Sequence, residues 1–298
     1  MITLAALAAL AREHAGDLDQ PVAPLLVGDR VFGDGDPPLI MGCINLSRDS
    51  TYRESIATST DGAIRMGLVL AAQGADVVDI GAESSKVTAA RAGAEQQTAQ
   101  LVPVITALAG EGLLVSAETY DPQVARACVQ AGASMLNFTG NAHQDEVLRL
   151  AAGTRTTVVL CDIRGDNARD VAEGDPLDDP VPGLLERLGE RLAAAQAAGV
   201  ERVVLDPGLG FSQLPREDPR ARLSRQARVL ANTFRLRRLG RPLCHALPHG
   251  FDVFGDEFRT AEGFFAVLAV LGGTSVLRTH EVPRVRAVVE AMRVLSVD

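Results

Sequence analysis

Eight short apolar runs are spaced along this chain so that a helix fits after each of them, and every run ends on polar or turn-forming residues. Continuous apolar runs, rather than alternating ones, are typical of parallel strands that are buried on both faces. Eight such strands with intervening helices predict a (β/α)8 TIM barrel, whose active site is built from the residues that follow the strands. The runs are Leu39–Ile44, Val77–Ile80, Leu113–Val115, Met135–Leu136, Val158–Leu160, Val203–Leu205, Leu243–Cys244 and Val276–Leu277.

The chain has 298 residues, which exceeds the roughly 250 residues of such a barrel and leaves room for an extension. Residues 1–37 begin with an apolar helical pattern, continue through a break rich in proline and aspartate, and end in two apolar runs around Gly28 and Asp29. Apolar runs that flank Gly-Asp predict a β-hairpin. We therefore predict an N-terminal helix plus hairpin over residues 1–37, placed to close the bottom of a barrel at residues 38–298.

Helical patterns fill the intervals between the apolar runs, and several end at a glycine, as helices often do. One of them, Phe264–Leu271, is apolar on all sides, which predicts either deep burial under the extension or an oligomer interface. Two long polar loops, Ser47–Thr58 and Glu83–Gly93, are expected to cover the barrel mouth. The predicted helices span residues 58–74, 91–110, 122–132, 144–152, 180–198, 219–239, 259–272 and 282–295.

The net charge of −9 argues against nucleic acid and anionic membrane as partners, because both attract basic surfaces. A small anionic ligand needs only a local basic cluster. The four cysteines, Cys43, Cys128, Cys161 and Cys244, form no Cys-x-x-Cys pair and are expected to be buried thiols of a reducing compartment. No run reaches the roughly 18 apolar residues of a membrane span, and no basic leader precedes the apolar start, so a cytoplasmic location is predicted.

Five polar residues stand at or just past predicted strand ends: Asn45, Glu118, Asn137, Asp162 and Asp206. In a ring at the barrel mouth, carboxylates and amides can bind a flat heterocycle edge-on. A carboxylate is the natural partner of an amidine-like N–C–NH2 edge, because both of its oxygens accept charge-assisted hydrogen bonds. Each residue taken alone could instead cap the following helix. The five together favour a binding site.

The end of the last predicted strand indicates an anion site, because Arg278 and His280 directly precede a helix start. Barrels of this type often bind phosphate at a helix N-terminus after strands 7 and 8, and arginine can bind phosphate through two hydrogen bonds. A structural salt bridge of Arg278 is the alternative. After the sixth strand, Gly208 and Gly210 allow either close approach of a ligand to the backbone or a positive φ.

A cluster of Cys244, His245 and His249 with His280 is a possible metal site. However, the His-x-His pattern that metal-dependent barrel hydrolases usually carry after the first strand is absent, so the sequence disfavours a dedicated protein metal site. A Mg2+ ion held mainly by substrate phosphates and Asn45 is favoured instead. No tightly bound organic cofactor is predicted.

Several stretches, taken in order along the chain, resemble the dihydropteroate synthases, a family of pterin-binding barrels. The resemblance implies a barrel that condenses 6-hydroxymethyl-7,8-dihydropterin pyrophosphate with p-aminobenzoate and releases pyrophosphate, and it implies a homodimer. By position, it implies that Glu118, Asn137 and Asp206 hold the pterin, that Asn45, Arg278 and His280 hold pyrophosphate and its Mg2+, and that Ser85 contacts the aminobenzoate. The stretches are Met41–Ser50, Asp79–Ser85, Glu118–Tyr120, Asn137, Leu205–Phe211 and Arg278–Val282.

The departures from the family pattern leave the leaving-group site better preserved than the site for the second substrate, and they indicate a divergent member. Glu118 replaces an aspartate, Gln213 replaces a lysine, and Lys86, the only lysine of the chain, replaces an arginine. His249 stands near a lost lysine-containing stretch after the seventh strand. Four hypotheses follow: dihydropteroate synthesis, a related transfer to another amine, a ligand-binding homologue without catalysis, and a methyltetrahydrofolate-binding methyltransferase.

Overall fold

The computed structural model describes residues 1–86, 88–170, 179–211 and 218–296. Its strands are β1 (Leu25–Val27), β2 (Arg30–Phe32), β3 (Leu39–Asn45), β4 (Val77–Gly81), β5 (Leu114–Thr119), β6 (Met135–Phe138), β7 (Thr157–Cys161), β8 (Val203–Asp206), β9 (Cys244–Ala246) and β10 (Val276–Thr279). The last eight are parallel, with β3 paired to both β4 and β10. A bridge between Leu205 and Leu243 joins the two ends of the sheet, so the barrel is closed and the (β/α)8 prediction is confirmed.

The helices lie outside the strands, close to the predicted ranges. They are α1 (Leu4–Glu13), α2 (Ala15–Leu18), α3 (Thr60–Ala72), α4 (Ala94–Gly110), α5 (Pro122–Gln130), α6 (Gln144–Thr154), α7 (Val181–Ala197), α8 (Pro219–Ala231), α9 (Phe251–Phe254), α10 (Ala261–Leu271) and α11 (Val282–Val294), with 3-10 turns at Arg53–Ser55, Thr233–Leu239 and Gly255–Thr260. The predicted helix 219–239 is wrong in its second half. Asn232 and Thr233 donate side-chain hydrogen bonds to the carbonyls of Arg228 and Val229, which ends α8 and starts the 3-10 turn.

Alternate residues of each strand face the barrel interior and the helices. In β3, Leu39 and Met41 belong to the interior cluster, whereas Ile40 and Ile44 pack against the helices. This follows from the two-residue period of a strand. Apolar side chains therefore fill the interior, and polar side chains concentrate where the strands end.

The predicted hairpin is present as β1 and β2, with Gly28 at φ +56° in the turn. Leu25 and Val27 are buried in the interior cluster, so the hairpin closes the bottom of the barrel as predicted. The guanidinium of Arg202 donates to the carbonyl of Gly28 at 2.8 Å, which fixes the turn to the barrel wall.

The apolar helix α10 packs between α8 and α11, so neighbouring barrel helices cover most of it. Phe264 and Leu271 remain exposed, by 44% and 58%. Helix α10 is therefore buried on one face, and an exposed apolar side chain lies near each of its ends. The homodimer stays a prediction.

The four cysteines are free and buried, as predicted. Within the described part of the chain, no helix combines the length and the apolar character that crossing a membrane requires.

Candidate active site

The carboxyl ends of the strands open into a cavity of about 560 Å³. Seven of the predicted site residues line it: Asn45, Ser85, Lys86, Glu118, His249, Arg278 and His280. Asn137 and Asp206 lie buried beside it, at 3% and 4% exposure. Gln213 lies outside the described residues. The barrel thus brings together most of the polar residues that the strand ends predicted.

Arg278 contacts two carboxylates at the floor of this cavity. Its Nε donates to Asp79 Oδ2 at 2.7 Å, and its Nη2 donates to Glu118. The amide of Asn137 donates to the same oxygen of Asp79 at 3.2 Å. Burial raises the pKa of Glu118, and the positive charge of Arg278 opposes that rise. The salt bridge considered as the alternative role of Arg278 is therefore present, and it includes a residue predicted to bind the heterocycle.

Sequence reasoning missed Asp79 as the centre of this network. Asp79 is fully buried in β4, and within the described residues its Oδ1 has no hydrogen-bond partner. A buried carboxylate oxygen without a partner is costly, so Oδ1 is a candidate atom for binding a ligand. The available signal was a lone carboxylate inside an otherwise apolar strand.

Asp206 lies at the end of β8, where its Oδ1 accepts a hydrogen bond from the backbone nitrogen of Gly208 at 2.7 Å. Burial raises the pKa of Asp206 to about 7. Gly208 has φ +73°, and a Cβ there would lie 2.3 Å from the carbonyl oxygen of Asp162. The loop that orients the Asp206 carboxylate therefore needs glycine at this position.

We expect Gly208→Ala to lower the free energy of unfolding by roughly 1–3 kcal/mol, the usual cost of backbone strain of this kind. Gly210→Ala in the same loop is the matched control, because its nearest neighbour would be Ala246 Cβ at 3.8 Å. The control is expected to change stability by less than about 0.5 kcal/mol. Urea denaturation of both variants measures the difference, and equal stabilities would contradict the strain argument.

Asp162, a further member of the predicted ring, pairs with an arginine and, like Asn137 and Asp206, is not among the residues that line the cavity. Both of its carboxylate oxygens accept hydrogen bonds from Arg187 on α7, at 2.8 and 2.7 Å. Asp162 follows the end of β7, so the alternation of the strand no longer determines which way its side chain points. The predicted role of Asp162 in binding a heterocycle stays a prediction, with Arg187 already paired to both of its oxygens.

Arg169 fixes the long loop after β4, and sequence reasoning missed it. Its guanidinium donates to Glu83 at 3.2 Å and to the carbonyls of Ser84 and Ala89. Glu83 also accepts from the hydroxyl of Tyr120. The side chains of Arg169 and Glu83 are 4% and 6% exposed, so this ion pair is buried. No local pattern marks Arg169 among the many arginines of the chain.

Only two of the four residues in the possible metal cluster predicted from the sequence, His249 and His280, come together. His245 is buried on the helix side of β9 and shares a hydrogen bond with Thr233 at 2.8 Å. Cys244 faces the barrel interior, because neighbouring residues of a strand point to opposite sides. His249 and His280 do come together at the cavity rim.

A carboxylate that sequence reasoning missed lies between these two histidines. Glu262, in the first turn of α10, is 1% exposed, and its Oε1 lies 3.2 Å from the Nδ1 atoms of both His249 and His280. Its Oε2 accepts from the Thr279 hydroxyl and from the backbone nitrogen of His280. Burial opposes ionisation, but the hydrogen bonds from the histidines hold the pKa of Glu262 well below its usual value.

These features define a (β/α)8 barrel with a polar small-molecule site where its strands end. Residues 41–280 match the profile of the family described as pterin binding enzyme, and the chain belongs to that family. The predicted resemblance to dihydropteroate synthases is confirmed by curated relatives over most of the chain.

One curated relative and two solved structures illustrate the match. The dihydropteroate synthase of Mycobacterium leprae is 31% identical over 270 residues, which cover 87% of this chain and 93% of that protein. The structure of the Xanthomonas albilineans enzyme with 4-aminobenzoic acid is 29% identical, has a TM-score of 0.76, and covers 92% of this chain and 99% of that one. The Burkholderia cenocepacia enzyme complexed with 7,8-dihydropteroate is 26% identical, with a TM-score of 0.76 and coverage of 91% and 96%.

Proposed function

We propose that this protein is a dihydropteroate synthase-type transferase, which binds a reduced pterin pyrophosphate and joins the pterin to an amine such as p-aminobenzoate. The observation that carries the proposal is the arrangement of the cavity in a chain of this family. Glu118 and Arg278 form its floor, with Asn45 and His280 in the same lining. The buried Asp79 supports that floor because it accepts hydrogen bonds from both Arg278 and Asn137. Dihydropteroate synthases that match most of the chain support the same reaction.

The floor suits the amidine-like edge of a pterin. The carboxylate of Asp206 would accept two hydrogen bonds from that edge, with Glu118 and Asn137 beside it. Arg278 neutralises part of the charge of Asp79 and Glu118 before a ligand arrives. The pterin would therefore meet an oriented, partly neutralised set of acceptors rather than bare carboxylates.

The pyrophosphate would lie against Arg278, His280 and Asn45. The amide nitrogen of Asn45 donates to the hydroxyl of Ser55 at 2.6 Å, which leaves the amide oxygen for a cation. Mg2+ prefers oxygen ligands, so Asn45 and the substrate phosphates fit it. When bound, the ion would supply positive charge to the departing pyrophosphate.

The reaction breaks the carbon–oxygen bond to pyrophosphate and forms a carbon–nitrogen bond to the amine, which loses a proton. Positive charge develops on the pterin methylene as negative charge develops on the leaving group. The residues of this chain orient the methylene, balance the leaving-group charge and hold the amine in line.

The acceptor site is where this chain departs most from its family. Ser85 and Lys86 line the cavity from the loop after β4, and both are exposed. Lys86 offers a single cationic donor, which suits an acidic amine but binds a carboxylate less rigidly than arginine does. His249 lines the same cavity. We propose that the acceptor differs from p-aminobenzoate or binds it more weakly, and that the enzyme works as a cytoplasmic homodimer.

The proposal is tested by supplying 6-hydroxymethyl-7,8-dihydropterin pyrophosphate, Mg2+ and a panel of aromatic amines. Release of pyrophosphate together with a pterin–amine product is the expected result. Product from p-aminobenzoate supports dihydropteroate synthesis, whereas product from another amine alone supports an altered acceptor. Binding of the pterin without any release of pyrophosphate contradicts catalysis and favours a ligand-binding homologue. The variant Arg149→Ala, on the exposed face of α6, is the control for purification effects.

The raised pKa of Asp206, about 7, makes a prediction for pH. An ionised carboxylate accepts from the pterin edge, and the ionised fraction of a group with this pKa rises about tenfold from pH 6 to pH 8. We therefore expect the affinity for 6-hydroxymethyl-7,8-dihydropterin, which carries no phosphate that titrates in this range, to rise about tenfold over that interval. Calorimetry at the two pH values measures the change. Asp206→Asn should remove the dependence, and equal wild-type affinities at both pH values would exclude this role for Asp206.

A further inference from the structure

We propose that His249, Glu262 and His280 form a binding site for a divalent transition-metal ion such as Zn2+, Mn2+ or Fe2+. This site is distinct from the Mg2+ that would accompany a pyrophosphate substrate. It does not depend on the proposed function, because it is argued from these three side chains and their neighbours and not from the pterin reaction.

The three ligand atoms lie close enough together to surround a single ion. The Nδ1 atoms of His249 and His280 each lie 3.2 Å from Glu262 Oε1, and the three side chains offer one ligand atom each within 4.8 Å of the others. Ligands held about 2.0–2.2 Å from one ion stand roughly 3–4.4 Å from one another. The three groups therefore need only small movements to surround an ion.

Hydrogen bonds orient the Glu262 carboxylate toward the two histidines. Its Oε2 accepts from the hydroxyl of Thr279 and from the backbone nitrogens of His280 and Glu281, the latter two at 2.8 and 3.3 Å. These donors satisfy one oxygen and leave Oε1 to the two imidazoles. Both imidazoles thus converge on the same oxygen, at 3.2 Å each, so a metal ion bound there would replace the two hydrogen bonds.

Neighbouring aromatic rings and hydrogen bonds hold the ligands in place. The ring of Tyr52 stacks on His280 with centroids 4.6 Å apart, and the hydroxyl of Tyr52 donates to Glu281. The rings of His249 and His280 meet edge to face at 4.9 Å. Supporting contacts that hold imidazole and carboxylate ligands in position are a regular part of metal sites.

The ligand set selects the kind of ion. Two imidazoles with one carboxylate suit zinc and the first-row transition metals, whereas Mg2+ and Ca2+ prefer oxygen ligands. His249 and His280 also line the cavity, so the open coordination positions would face it. An anionic oxygen ligand, such as a phosphate or carboxylate, is the ligand class that such an ion would take there.

The test is direct metal binding by the full-length protein without substrate. The protein is stripped with a chelator, dialysed against Zn2+ or Co2+, and analysed for bound metal and for the visible absorption of Co2+. We expect about one equivalent of metal per chain, and a Co2+ spectrum typical of nitrogen and oxygen ligands. Inorganic phosphate should change that spectrum, because it would occupy an open position.

Two ligand variants and one control make the assignment specific. His249→Ala, whose side chain is 25% exposed in the wild type, and Glu262→Gln should each weaken Co2+ binding at least about 100-fold, with folding checked by circular dichroism. His143→Ala, with a side chain 63% exposed on another loop, should bind as the wild type does. Less than about a tenth of an equivalent bound to the wild type, or undiminished binding by folded His249→Ala, would overturn the proposal.

Discussion

Replacing Arg278 by alanine is expected to lower the free energy of unfolding by about 3–5 kcal/mol, the usual cost of removing one partner from a buried ion pair. The reason is the pair of carboxylates that the guanidinium leaves behind. Asp79 is fully buried, and the side chain of Glu118 is only 14% exposed. Without Arg278, both carboxylates lose their cation. They must then either stay charged in the protein interior, which solvates charge poorly, or take up protons.

Urea denaturation at neutral pH measures this loss. Arg293→Ala is the matched control, because Arg293 pairs with Glu290 on the surface with side chains 56% and 43% exposed. Such pairs contribute at most about 1 kcal/mol. A loss below 1 kcal/mol in Arg278→Ala would contradict the description of this network. The same cost means that lost turnover in Arg278→Ala cannot be assigned to catalysis alone, so Arg278→Lys, which retains the charge, is the better kinetic variant.

The second large effect is expected from Arg169→Ala, which removes the anchor of the loop after β4. The variant leaves Glu83 with Tyr120 but without its cation, and it leaves the carbonyls of Ser84 and Ala89 without their donor. Since a misplacement of about 1 Å can cost about a hundredfold in rate, we expect the KM for the acceptor amine to rise at least tenfold. Affinity for the pterin should change far less, because Glu118, Asn137 and Asp206, which are proposed to hold the pterin, lie on β5, β6 and β8.

Steady-state kinetics with both substrates varied, together with limited proteolysis of the loop, test this expectation. Arg149→Ala again serves as the control, since Arg149 is exposed on α6 and far from the loop in sequence. An unchanged acceptor KM and an unchanged cleavage pattern would mean that the loop is held by other contacts. An equal rise in the KM values for the pterin and for the amine would instead indicate general damage to the barrel.

The fold was predictable because its strands are buried on both faces, which produces continuous apolar runs at regular intervals. Even β9, where the sequence shows only Leu243 and Cys244, was correctly placed by the spacing of its neighbours. Helix ends were less predictable where polar side chains compete for the backbone. Asn232 and Thr233 end α8 in this way, although the helical pattern continues beyond them.

The sequence predicted which polar residues lie at the strand ends, but it did not predict which side chains contact one another. Polar residues after strands were found because barrel topology brings them together. Their partners depend on which way each side chain points and on residues far apart in the chain. Arg278 and Asp79 are 199 positions apart, and no local pattern joins them. Glu262 was missed for the same reason, because it begins an apolar helix and meets its histidines only when the barrel closes.

We propose that the cavity binds a pterin pyrophosphate through separate pterin and pyrophosphate sites. A calorimetric titration with 6-hydroxymethyl-7,8-dihydropterin pyrophosphate, with and without Mg2+, tests it most directly. We predict one site per chain, with micromolar affinity that depends on Mg2+. Absence of binding under both conditions would contradict the claim, and it would mean that the replacements at Glu118 and Gln213 have abolished recognition of the pterin.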